Sequence, residues 1–152
     1  MFVKSFLVIV VILVITPFTA LADEADELKK KIVLDQKRLV VMQNMEFTED
    51  EGKAFWPLFD KSQERLFQVN QRAATLIIAY ASAYQTLTDE QALKIVDEYF
   101  EIRSERQKIM QAFTGELENV LSGKRVFRYL QVENKLEAIA RFELSRGIPL
   151  AQ

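Results

Sequence analysis

Met42 and Met45, one helical turn apart, are the nearest this chain comes to a metal site. Two thioethers suit a soft ion such as Cu(I), but they make an incomplete set, and core packing is the simpler reading. The sequence holds no histidine and no cysteine. That removes imidazole acid–base work, thiolate nucleophiles, c-type haem attachment and iron–sulfur ligation. The Glu-x-x-His pairs of di-iron bundles are missing too, and the four glycines are scattered rather than gathered into a phosphate loop. Carboxylates alone could hold a hard cation, but no binding-loop pattern collects them. No cofactor, no metal and no enzymatic activity are expected.

What remains is recognition chemistry. Arg103 and Arg106, with Asn70 as a neighbour across a helical hairpin, form one candidate surface for a partner. The bland alternative is a buried polar layer that fixes register, in which Arg103 needs Asn70, Glu64 or Glu101 as partners because an unpaired buried charge is costly. Trp56 and Phe59, with Phe55 and Phe67 close by, form a second candidate surface. Aromatics at helical spacing are also what a core requires. Lys29-Lys30-Lys31 reads as a solvated face, with an anionic surface as the rival.

The elements that position these residues are marked by two helix-start devices. Phe47-Thr48-Glu49-Asp50-Glu51 and Leu87-Thr88-Asp89-Glu90-Gln91 each read apolar, Thr, any, any, Glu or Gln. In such a capping box Thr48 or Thr88 accepts the N–H three residues on, and Glu51 or Gln91 reaches back to the cap's own N–H. Four helical segments follow: about Asp26 to Met45, Thr48 to Gln85, Thr88 to Leu121, and Ser122-Gly123-Lys124 to Gly147-Ile148-Pro149. No stretch keeps a two-residue alternation, so no sheet is expected.

In the first helix Leu28, Ile32, Leu39 and Met42 recur at steps of three and four, interrupted by Asp35. The second and third helices carry unbroken three–four seams: Trp56, Phe59, Gln63, Leu66, Asn70, Ala73, Ile77, Tyr80, Tyr84, and Leu93, Val96, Phe100, Arg103, Gln107, Met110, Thr114, Leu117, Leu121. Pairing them about the Thr86-Leu87 turn sets Asn70 level with Arg103. Pro57 should kink or restart the second helix, and Gly115 permits a bend in the third. A helix of about 35 residues spans roughly 50 Å, too long for a spherical domain of this size. The predicted fold is all-α: a long antiparallel hairpin of helices two and three, with helices one and four packed along it.

The N-terminus bears on compartment. One lysine, an apolar run from Phe6 to Ile15, then Pro17 and Ala20-Leu21-Ala22 describe a secretory signal peptide cut after Ala22. The rival is an uncleaved anchor, since about 18 residues lie at the lower edge of a spanning helix. Removing residues 1–22 leaves 130 of the 152 and takes away one basic and no acidic residue, so the net charge moves from −2 to −3. That acidity argues against nucleic acid as a partner. Residues 23–152 make one domain by size, and an exported chain without cysteine suits a bacterial periplasm.

The exported helical character, the full Leu-Thr-x-x-Gln match at Leu87, Thr88 and Gln91, and the match by type at Phe47, Thr48 and Glu51 resemble the Spy/CpxP group of periplasmic stress proteins. The C-terminal run Phe127-Arg128-Tyr129-Leu130-Gln131-Val132-Glu133-Asn134-Lys135, with Phe55-Trp56-Pro57-Leu58 upstream, is similar to a set of proteobacterial exported helical proteins. The resemblance to the Spy/CpxP group implies a long-helix hairpin, a cradle-shaped homodimer, and ATP-independent chaperoning or envelope-stress signalling through protein partners. An unfolded client or one dedicated envelope partner would be bound, with no membrane contact after cleavage. This chain departs from the group's metal-sensing branch in lacking histidine, and from its basic cradle in being acidic.

Overall fold

The computed structural model describes residues 19–151, with side chains from residue 27. The expected signal segment therefore lies almost wholly outside the described residues. Four helices follow one another: α1 Thr19–Met45, α2 Glu49–Ala83, α3 Asp89–Leu117 and α4 Gly123–Gly147. They run alternately up and down, since connections of three to five residues force neighbours antiparallel. Cross-helix pairs confirm the direction: Phe55 meets Phe113 while Arg72 meets Glu98. The all-α hairpin expected from the sequence is present, with α2 and α3 in the most extensive contact and α1 touching α4. Among the described residues no helix is long and apolar enough to cross a membrane.

Both capping boxes form as the Thr spacing requires. The Thr48 hydroxyl accepts the Glu51 N–H at 3.3 Å and the Glu51 carboxylate accepts the Thr48 N–H at 2.9 Å. The second box repeats this at 3.3 and 3.0 Å with Thr88 and Gln91. Phe47, just ahead of the first cap, lies 4.5 Å from the Phe55 ring and fixes the chain's entry into α2. At the end of α1, Glu46 sits at φ 49°, the left-handed conformation that closes helices, and its carbonyl accepts from Arg125 Nη2 at 2.7 Å.

α2 does not restart at Pro57. α2 continues through Pro57 as one 35-residue helix, and α3 continues through Gly115 and stops at Leu117 rather than Leu121. Phe55 and Phe59, fully buried on either side of Pro57, hold α2 against the core across the position where a hydrogen bond is lost.

The core has two parts. One lies at the α1–α2 and α3–α4 turns, where Val41, Met45, Phe55, Phe59, Phe113, Leu117 and Tyr129 are almost wholly enclosed. Tyr129 packs edge-on to Phe113 with centroids 5.2 Å apart. The other, smaller part joins α2 and α3 alone through Leu66, Val69, Ile102 and Ile109.

The helices present different faces from those their seams predict. The inward residues of α2 are Phe55, Phe59, Ser62, Leu66, Val69, Ala73 and Leu76. That frame shares Phe59, Leu66 and Ala73 with the predicted one and replaces Gln63 and Asn70 with Ser62 and Val69. α3 is turned by about one residue, roughly 100°, so that Ile102, Ile109 and Phe113 point inward and Leu93, Val96 and Phe100 face solvent. α1 reverses its prediction: Lys30, Leu34, Lys37, Val41 and Met45 face the bundle, and Leu28, Ile32, Leu39 and Met42 line its outside.

Candidate functional site

The most organised polar chemistry lies between the two core clusters, where all four helices contribute. α4 places Glu133 on the same inward face as Val126, Tyr129 and Leu136, at steps of three and four, so a carboxylate enters the bundle. It is 97% enclosed, its side chain being 3% exposed. Lys37 of α1 donates to Glu133 Oε1 at 2.6 Å and to Gln63 Oε1 of α2 at 2.9 Å. The Tyr129 hydroxyl donates to Glu133 Oε2 at 3.2 Å. Arg106 of α3 lies 3.7 Å from Glu133 and 3.3 Å from Glu137, and donates to Asn70 Oδ1 at 2.9 Å. A carboxylate out of water needs such partners, and here each oxygen has one.

Burial and the Glu133 carboxylate together hold the Tyr129 phenol well above its ordinary pKa. Removing it from water penalises the phenolate, and an adjacent negative charge adds to that penalty. The phenol is therefore a fixed donor across the neutral range. This layer ties four helices to one height.

Asn70 thus pairs across the hairpin with Arg106, one turn from the predicted Arg103. Arg103 is exposed rather than buried, stacked over the Tyr99 ring at 5.5 Å with Nη1 donating to its hydroxyl at 3.0 Å. The partners expected for a buried Arg103 are engaged elsewhere. Glu64 pairs with Lys30 at 2.8 Å, and Glu101 lies 3.8 Å from Arg72. The predicted juxtaposition of Arg103 and Arg106 does hold in one respect: both line a groove of about 500 Å3 between the outer flanks of α3 and α4.

The aromatic candidates belong to the core. Phe59 is fully buried; Trp56 is half-buried, under the Arg38 guanidinium at 5.2 Å, and Arg38 in turn pairs with Asp60. Phe67 carries Lys30 over its ring at 4.5 Å. Met45 is buried in the core while Met42 lies on the outer face of α1, so the two thioethers serve different surfaces. Among the described residues no group of three or more acids is placed to hold a metal ion.

The first capping box carries more than a cap. Glu51 also pairs with Arg125 at 2.7 Å, so the start of α2 is tied to the start of α4. The Thr48 N–H, and then Arg125, hold the Glu51 carboxyl below its usual pKa. A glutamine, as at Gln91, could cap but could not form this ion pair.

Sequence reasoning passed over Lys37, Tyr129, Glu133 and Glu137. Their signal was present: Val126, Tyr129, Glu133 and Leu136 form a three–four seam with one acid inside it, and Lys37 sits three residues from Leu34 and four from Val41. Compared with protein-family models, with curated proteins and with solved structures, the chain matches none.

Proposed function

We propose that this chain is a periplasmic helical protein that binds other proteins, working as an ATP-independent chaperone or envelope-stress adaptor of the Spy/CpxP kind. One observation carries the reading. The apolar stripes of α1 and α3 face solvent: Ile32, Leu39, Val96 and Phe100 are 42%, 55%, 46% and 63% exposed. Isolated exposed apolar residues are ordinary, but rows of them along two helices mark a surface that meets a partner. Charged residues border or interrupt the stripes, Lys31 beside and Asp35 within that of α1, Asp97 and Arg103 along that of α3, a pattern suited to chains with both apolar and charged segments. The signal-like N-terminus and the Thr88–Gln91 box support the compartment and the kinship.

The test mixes the purified protein at equimolar ratio with an aggregating client and follows light scattering. Suppression, with client captured on cross-linking, supports the chaperone form; unchanged aggregation and no cross-link sink it.

A second reading has its own support. On α1 the stripe keeps the spacing 28, 32, 35, 39, 42 with Asp35 as its single polar member, as a seam for one helical partner does. In that case the protein is an envelope scaffold, or a homodimer, with one dedicated partner. A pull-down that yields one stoichiometric protein favours this reading, and a broad mixture favours the chaperone.

A further inference from the structure

The groove between α3 and α4 borders the open stripe of α3, shares Phe100 and Arg103 with it, and adds charged groups from α4. Phe100, Met110 and Leu130 supply apolar wall, and Arg103, Arg106 and Arg141 stand over it against two carboxylates, Glu133 and Glu137. Arg106 is held by both carboxylates and Arg141 pairs with Glu137. Among the described residues Arg103 has no carboxylate partner, and its guanidinium is oriented by Tyr99 alone. We propose that this groove binds a small amphiphilic carboxylate, an apolar chain ending in a carboxylate, with the head group on Arg103 and the chain along Phe100, Met110 and Leu130.

Three features favour this occupant. A planar guanidinium matches a carboxylate with two parallel hydrogen bonds, and the Tyr99 hydroxyl already holds one nitrogen of this one. The volume, about 500 Å3, falls within the range of roughly 300–1,000 Å3 typical of small-molecule sites, which in bundles lie between helices. A protein partner would instead need about 800 Å2 of each surface, which the groove alone does not offer.

The test is calorimetric titration of the purified protein with sodium dodecanoate below its micelle-forming concentration. Dodecanol and a short apolar peptide with a free C-terminal carboxylate are titrated in parallel. One dodecanoate per chain is expected, with dodecanol weaker. Arg103→Gln should weaken dodecanoate about tenfold, the loss of a charge-assisted pair, and Phe100→Ala should weaken both dodecanoate and dodecanol. Both residues are exposed, so the variants should keep the helical circular dichroism of the parent. No saturable binding, or binding unchanged by Arg103→Gln, overturns the proposal. So does uptake of several molecules per chain that Arg103→Gln does not alter, which would place them on the open stripes. Peptide bound more tightly than dodecanoate would also overturn it and assign the groove to polypeptide.

Discussion

Replacing Glu133 with leucine tests whether the polar layer holds the four helices together. In Glu133→Leu, Lys37 loses its 2.6 Å ion pair but keeps Gln63 and remains 18% exposed, while the buried Tyr129 hydroxyl loses its acceptor. Breaking a buried pair from one side costs about 3–5 kcal/mol. The remaining contacts of Lys37 place this case at the low end, about 3 kcal/mol. Lys37→Met leaves Glu133 with Tyr129 and a 3.7 Å approach of Arg106, a loss of about 2 kcal/mol by the same reasoning. The double variant removes both charges and fills the site with apolar volume. Its loss should be near 2 rather than 5 kcal/mol, since isosteric apolar replacements of buried pairs are close to neutral. Urea unfolding followed by circular dichroism reads each value. At a slope of about 1.5 kcal/mol per M, Glu133→Leu should lower the midpoint by about 2 M. Additivity of the two single losses within about 0.5 kcal/mol, or a Glu133→Leu loss under 1 kcal/mol, would refute the coupling.

Four further outcomes follow from local geometry. Gly115→Ala should raise stability by about 1 kcal/mol, because Gly115 lies inside α3 and a Cβ there meets nothing within 4 Å; thermal unfolding reads it, and a loss would mean that the α3 backbone needs glycine. Thr88→Ala should cost about 1 kcal/mol, and Thr48→Ala about the same, since the Glu51 carboxylate is held by the Thr48 backbone N–H and by Arg125, both of which the substitution keeps. Because the Glu51 pKa is lowered on folding, its contribution is present above the ordinary glutamate range and is lost as pH falls through the folded value; Glu51→Gln should flatten that acid limb. The raised Tyr129 pKa has the opposite sense. Its stabilisation is complete below about pH 10, the unfolded phenol's value, and is lost above it. Tyr129→Phe should remove this alkaline limb in a pH series of urea midpoints.

The starts of α2, α3 and α4 were legible in the sequence; the start of α1, the end of α3 and the helix faces were not, for a physical reason. A cap is settled by two residues three positions apart, so Thr48 with Glu51 and Thr88 with Gln91 declare themselves locally. Faces depend on what the other helices offer. In α2 the frames 55-59-62-66-69-73-76 and 56-59-63-66-70-73-77 share every second residue and both alternate three and four. Only the apolar content of Phe55 and Val69 against the polarity of Gln63 and Asn70 separates them. α1 presented its more apolar stripe to solvent because its lysines meet Glu64 at the rim of the bundle and Glu133 inside it, a long-range match visible only once α2 and α4 are in place. Arg106, not Arg103, became the layer's arginine because the rotation of α3 that buries Ile102 and Ile109 carries Arg106 inward with them.

The central claim is that the outward stripes of α1 and α3 are the protein-binding face. Site-specific photo-cross-linking tests it most directly. A photoreactive phenylalanine analogue is placed at Ile32, at Val96 and, as control, at Lys53, exposed on α2 and paired with Glu49, and each variant is irradiated with an unfolding client. Strong client cross-links from positions 32 and 96, with little from 53, are predicted. Equal yields from all three positions, or none from 32 and 96, would contradict the account.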